Sequence, residues 1–252
     1  MLSERALEEA LARVGLSAPV RFDEVTRSTQ ATALELAEAG APEWTLVAAN
    51  HQTAGRGRLG REWVDTPGEA LLFSTVLRPD LLPERVGLLS LLAGLAMCLA
   101  CRESSGADVG CKWPNDLLVD GRKVGGILAE SKVLDGSLAH VVIGIGVNLA
   151  GSPSGVPDAA PIGSIASAAL LTAFLRAFRE RYPPAGPAFA IDVLAAYRDV
   201  CATLGARIRA TTVDGRIVEG RAVDLDERGG LIVETHAGRE AVAFGEVVHL
   251  GE

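Results

Sequence analysis

Two Asp-Gly dipeptides, Asp120-Gly121 and Asp135-Gly136, each stand between strand-like runs in the stretch from Val109 to Leu149. Asp-Gly is a strong signal for a two-residue hairpin turn, because both of its positions tolerate positive φ. The stretch is therefore predicted to be an antiparallel meander, and a chain built on it is limited to folds with an antiparallel sheet. Gly125-Gly126 and Gly144-Ile145-Gly146 interrupt its apolar runs. Glycine inside a strand marks a place where a ligand or another backbone comes close, so both pairs are expected to face one pocket.

Around the meander the pattern alternates. Ser3 to about Val14 carries leucines and alanines at helical spacing, and Pro19 to Glu24 reads as a short extended segment. Ser28 and Thr29 suit the start of a second helix that stops at Gly40. Thr45 to Gln52 and Leu71 to Leu77 are predicted strands, and Thr53 to Gly68 between them, rich in glycine and charge, is predicted to be a mobile loop. Helical patterns return at Ala168 to Arg181 and Ala188 to Thr203, separated by Pro183-Pro184. From Leu204 onward short alternating strands are punctuated by Asp214-Gly215, Gly229-Gly230 and Ala237-Gly238, the texture of a small β-barrel. A boundary near 203 follows, with an α+β domain over residues 1–203 and a small β domain over 204–252.

Val86 to Cys101 is apolar enough to raise the question of a membrane, but it is shorter than the roughly 20 residues a spanning helix needs. Arg85 and Arg102 bracket it, and a buried helix is predicted. A formal net charge of −8 argues against a general binder of nucleic acid or anionic membranes, both of which need a broad basic surface. Any anion site must be local. Cys98, Cys101, Cys111 and Cys201 lack a second C-x-x-C or C-x-x-H to complete a zinc site. They are read as reduced thiols of a cytoplasmic protein. The first residues, Met1-Leu2-Ser3-Glu4-Arg5, have no basic region followed by an apolar run, so no signal peptide is expected.

Gly55-Arg56-Gly57-Arg58-Leu59-Gly60 matches G-x-G-x-x-G, yet Arg61-Glu62-Trp63-Val64 is a poor helix start, which excludes a dinucleotide fingerprint. It also lacks the Lys and Ser or Thr of a P-loop. What remains is a flexible backbone with Arg56, Arg58 and Arg61, able to offer amide N–H groups and guanidinium forks to carboxylate or phosphate oxygens and to order when that anion arrives. Lys112-Trp113-Pro114-Asn115-Asp116 sets a cation and two hard oxygen donors around a large aromatic beside a strand. A lysine there calls for an anion or a structural carboxylate, and Asn115 and Asp116 offer the oxygens Mg²⁺ prefers. Lys123 follows a tight turn with Gly125 and Gly126 clearing space beside it, which suits a phosphate contact. No G-x-S-x-G or H-E-x-x-H is present, so hydrolytic and zinc chemistry find no support.

In order along the chain, Ser28-Thr29-Gln30, Gln52-Thr53-Ala54-Gly55-Arg56-Gly57-Arg58, Lys112-Trp113-Pro114-Asn115-Asp116 and Lys123-Val124-Gly125-Gly126-Ile127-Leu128 closely resemble the biotin protein ligases, in detail from about residue 22 to 150. The resemblance implies a class II synthetase-like α+β catalytic domain, with a mixed, largely antiparallel central sheet and flanking helices, and a C-terminal SH3-like small β-barrel. It implies ATP-dependent activation of biotin to biotinyl-5′-AMP, then transfer to one lysine of a carboxylase's biotin acceptor domain. Carried over by motif, Ser28, Thr29, Gln30, Gln52, Gly55, Arg56, Gly57, Arg58, Lys123, Gly125 and Gly126 would bind biotin. Arg56, Arg58, Arg61, Trp63, Lys112, Asn115, Lys123 and Asn148 would bind ATP. Of these, Arg58, Lys112 and Lys123 would act on the reacting anions, Trp63 would stack on adenine, and Asp116 and Asn148 would hold Mg²⁺. Gln30 departs from the family, where Asn is common. Some members carry an N-terminal DNA-binding helix-turn-helix; here one predicted helix precedes the first strand, so operator binding is not expected. The rival readings are a lipoate or octanoate ligase, whose arginine-glycine motif is absent here, and a non-enzymatic biotin sensor.

Overall fold

The computed structural model describes residues 2–184, 188–243 and 245–250. Helix α1 (Glu4–Arg13) opens on Ser3, whose hydroxyl accepts the Ala6 N–H, and turns Leu7, Ala10 and Leu11 inward. Strand β1 (Val20–Thr26) leads to α2 (Thr29–Glu38), capped in the same way by Ser28 on the Ala31 N–H. Such a side-chain oxygen satisfies one of the orphan donors of a first turn, which is why serine stands at both starts. Strand β2 (Leu46–Gln52), the two-residue strands β3 (Gly55–Arg56) and β4 (Glu62–Trp63), and β5 (Ala70–Leu77) follow.

Thr53 to Gly68 is thus not a featureless loop. β3 and β4 pair antiparallel, Gly55 with Trp63 and Arg56 with Glu62, around a 3-10 turn at Arg58–Gly60. Two-residue strands are too short to show alternation, so the pairing leaves no periodic trace in the sequence.

Helix α3 (Gly87–Ser105) is longer than its apolar run and ends on Gly106 at φ +72°, the left-handed turn that releases a helix. With the 3-10 turn before it, Pro83–Ser105 is long and apolar enough by composition to cross a bilayer, yet it lies in the core against the sheet and two later helices. The meander then forms as the Asp-Gly turns dictate: β6 (Gly110–Lys112), β7 (Asp116–Val119), β8 (Arg122–Leu134) and β9 (Ser137–Asn148). Asp120 and Gly121 sit at φ +49° and +74°, Asp135 and Gly136 at +51° and +79°, as two-residue turns require. Helices α4 (Ser167–Arg179) and α5 (Ala188–Arg198) close this part of the chain. α5 stops short of Thr203 because the chain beyond it lies along β6, with the Cys111 N–H donating to Val200 O at 2.7 Å and Ala202 N–H to Cys111 O at 2.8 Å.

The seven-stranded sheet runs β1-β2-β5-β9-β8-β7-β6, with β1 and β2 parallel and every other pair antiparallel. The remaining strands, β10 (Arg207–Thr212), β11 (Ile217–Leu225), β12 (Leu231–Thr235), β13 (Gly238–Val242) and β14 (Gly245–His249), make a five-stranded antiparallel sheet in the order β13-β12-β11-β10-β14. The two sheets are joined through Trp113. Its backbone N–H donates to Thr203 Oγ1 at 3.0 Å and its indole Nε1–H to Gly229 O at 2.9 Å, both buried.

Candidate functional site

The site is a cavity of about 420 Å³ over the pocket-facing side of β8 and β9. Its floor is glycine for a geometric reason. Gly126 pairs with Gly146, and a Cβ at Gly146 would stand 2.5 Å from the Trp63 ring, while one at Gly144 would stand 2.4 Å from Gln30 Oε1. Side chains there would fill the space now shared by Trp63 and Gln30.

One end of the cavity is lined by uncharged polar groups from three elements. Ser28 starts α2, which places Thr29 and Gln30 at a helix N-terminus facing β2 and β5. The Thr29 N–H donates to Gln52 Oε1 at 2.8 Å, and the Thr29 hydroxyl lies 3.2 Å from that oxygen and 2.9 Å from Ser74 Oγ. Gln30 is 3% exposed. Its Nε2 donates to Glu130 Oε2 at 3.0 Å and to Val142 O at 3.2 Å, and its Oε1 is buried with no partner among the described residues.

The other end is cationic. The β3–β4 turn lies across it and is held at three points: Arg56 to Glu130 at 2.8 Å, Arg61 to Glu246, and Arg58 Nη1 to Asn115 Oδ1 at 3.1 Å and Gly245 O at 3.2 Å. Burial pulls the Arg58 guanidinium down from its ordinary range, opposed by the Asp116 carboxylate. The hydrogen bond from Arg61 holds the Glu246 carboxyl below the usual carboxylate range. Lys123 Nζ meets Asp116 Oδ1 at 2.6 Å and stands 5.9 Å from the centre of the Trp63 ring, and Lys112 lines the same wall.

Most of the residues singled out in the sequence meet here: Thr29, Gln30, Gln52, Arg56, Gly57, Arg58, Arg61, Trp63, Lys112, Asn115, Asp116, Lys123 and Gly126 line one cavity. Others stand behind its wall. Ser28 is a buried helix cap, and Gly55 packs under Trp63, where a Cβ would come within 2.4 Å of Trp63 O. Gly125 points to the opposite face, toward Leu117 and Val147, since neighbouring strand residues alternate; the two glycines do not share the pocket. Asn148 is buried at the end of β9 with its amide on Ala160 O at 3.4 Å. Asp116 lines the cavity and Asn148 does not, and among the described residues no three His, Cys, Asp or Glu side chains cluster as metal ligands.

Sequence reasoning missed Ser74, Glu130 and Glu246. Glu246 lies in the second sheet, far along the chain, and no motif links it to Arg61. Ser74, with Thr75 beside it, interrupts an apolar strand as a buried polar residue, and that was the available signal.

Comparison with known proteins follows the same lines. A mixed sheet roofed by an arginine loop, with a second small sheet at its edge, defines the class of the biotin ligase catalytic fold: the ligase of Aquifex aeolicus in complex with biotin and ATP superposes with a TM-score of 0.69, covering 91% of this chain and 97% of that one at 24% identity. The ligase of Leishmania major in complex with biotinyl-5-AMP gives 0.61 at 25% identity, covering 93% and 99%. The Biotin/lipoate A/B protein ligase family model matches residues 22–148 and the Biotin protein ligase C terminal domain model residues 203–250. Among sequences, the biotin–[acetyl-CoA-carboxylase] ligase of Mycobacterium tuberculosis is 36% identical over 99% of this chain and 96% of its own length. The bifunctional ligase/repressor BirA of Bacillus subtilis is 33% identical over 96% of this chain and 78% of its own. The chain belongs to the biotin/lipoate A/B protein ligase family, on its biotin protein ligase branch.

Proposed function

We propose that this chain is an ATP-dependent biotin protein ligase, and the observation that carries the reading is the pairing of fixed amides at the uncharged end of the cavity with cations at the other. Gln52 Oε1 is taken by Thr29, so its NH₂ is the group left to donate. Gln30 has both amide protons engaged, so its carbonyl oxygen is left to accept. One donor and one acceptor side by side suit a small head group carrying both C=O and N–H, which the ureido ring of biotin has and the dithiolane of lipoate or the alkyl end of octanoate lacks. The valerate carboxylate then reaches the cationic end.

The first step needs little from a base, because a carboxylate is already ionised at neutral pH. Its oxygen attacks the α-phosphorus of ATP, the bond from that phosphorus to the bridging oxygen breaks, and pyrophosphate leaves. Two anions must be brought together, so the protein's part is charge screening and alignment by Arg56, Arg58, Lys112 and Lys123. In the second step the amine of an acceptor lysine attacks the acyl carbon and AMP leaves. Of the residues expected for Mg²⁺, Asp116 lines the cavity and is paired with Lys123, while Asn148 stands outside the cavity's lining with its Nδ2 on Ala160 O. Mg²⁺ would arrive as the counter-ion that ATP's phosphates bring. We also place the catalytic unit in residues 1–203 and the SH3-like unit in 204–252, take the acceptor to be the biotin acceptor domain of a carboxylase, and assign the chain with its four buried free thiols to the cytoplasm.

The test is ATP–pyrophosphate exchange run separately with biotin, lipoate and octanoate. Exchange is expected with biotin alone; exchange only with lipoate or octanoate would assign the chain to the other branch of the family, and none with any acid would leave a sensor. The Arg58→Ala variant is expected to lose hold of the adenylate, read as biotin appearing on bystander proteins. Biotinylation confined to the acceptor would remove Arg58 from that role.

A further inference from the structure

We propose that Glu130 is a positioning residue that sets substrate specificity by fixing which way the Gln30 amide points; the proposal rests on the biotin ligase reading and deepens it. A primary amide can present either of its two ends, and in a pocket of neutral polar groups both orientations would be populated. Gln30 has no such freedom. Its outer end faces two acceptors, the Glu130 carboxylate at 3.0 Å and the Val142 carbonyl at 3.2 Å. Neither can donate, so the NH₂ must lie there and the carbonyl oxygen must lie on the side of Gly144 and Ser74.

That oxygen is buried, unpartnered among the described residues, and directed at the glycine floor. An unsatisfied buried acceptor costs free energy in the empty pocket and recovers it only from a ligand that brings a donor to it. A ligand with an N–H at this point is favoured; one with sulfur or methylene there leaves the acceptor unsatisfied. Glu130 enforces this from outside the cavity. Its other oxygen binds Arg56 at 2.8 Å, so the same carboxylate ties the selecting amide to the arginine turn over the anionic end. Gln30 reaches Glu130 and Gly144 at once.

The experiment measures KM and kcat for adenylate formation by pyrophosphate exchange, with biotin, with dethiobiotin, which keeps the ureido N–H groups without the sulfur ring, and with lipoate. The proteins are the full chain, Glu130→Gln, Gln30→Met and the double variant. Glutamine at 130 can donate as well as accept, which removes one of the two acceptors that hold the Gln30 NH₂ outward and leaves Val142 O alone to do so. The expected result for Glu130→Gln is a KM for biotin and dethiobiotin raised about tenfold to a hundredfold, the scale of one buried hydrogen bond lost, with kcat changed far less. The preference for biotin over lipoate should fall by a similar factor. Gln30→Met should lose the same preference, and the double variant should lose no more than Gln30→Met, because Glu130 acts through Gln30. A preference unchanged in Glu130→Gln, or losses that multiply in the double variant, overturns the proposal. Failure of the parent chain to use either ureido acid overturns the biotin reading and the proposal with it, and is told apart by the parent alone.

Discussion

Lys123→Ala is expected to slow formation of biotinyl-AMP by about 10²–10³-fold, the scale of losing one preorganised charge at a reacting centre. The Lys123 ammonium stands on the cavity wall 2.6 Å from Asp116 and beside the Trp63 ring, fixed by the turn at Asp120-Gly121 that opens β8. Removing it has two consequences of the same sign. The junction between carboxylate and phosphate loses a cation, and Asp116 loses its paired ammonium and faces two incoming anions with only the neighbouring arginines to offset it. The loss should fall mainly on the single-turnover rate, since the uncharged end that selects the head group is untouched. Pyrophosphate exchange together with single-turnover adenylate formation measures it; an unchanged rate would take Lys123 out of the reaction.

Trp113→Ala is expected to lower the stability of the fold by about 3–5 kcal/mol, the usual cost of emptying a large aromatic site in a core. Trp113 is 2% exposed. It is also a point at which the two sheets meet: truncation takes the indole donor from the buried Gly229 carbonyl, while the backbone N–H that the Thr203 hydroxyl accepts is kept. Denaturant unfolding followed by circular dichroism measures the change, and a loss under about 1 kcal/mol would contradict the packing. Trp113→Phe should lie between, retaining much of the buried area but losing the indole hydrogen bond, worth about 1 kcal/mol.

The parts of this molecule that follow from local chemistry were legible in its sequence. Serines at helix starts, Asp-Gly at positive φ and apolar helical spacing placed α1, α2, α3 and the β6–β9 meander within a few residues. The glycines of β8 and β9 announced a close approach, but only register tells which face each one serves: Gly126, Gly144 and Gly146 share the pocket face and Gly125 does not. Asn148 shows the same limit. It has the right parity along β9, yet the chain near Ala160 covers the strand's end and claims its amide. Glu130 and Glu246 were invisible for a different reason. Each acts through a partner distant along the chain, and neither spacing nor residue type carries that information.

The arginine turn has a final consequence. Arg56, Arg61 and Lys123 already hold the carboxylates Glu130, Glu246 and Asp116. Three of its cations therefore behave as an ion exchanger rather than an open positive well: an anion arriving at Arg56, Arg61 or Lys123 must displace a resident one. A lone phosphate or acetate, able to compete for one cation at a time, gains little by doing so. A molecule that delivers a carboxylate and a polyphosphate together replaces several residents at once, so the cavity can stay indifferent to the abundant small anions of its surroundings and still close on its own pair of substrates.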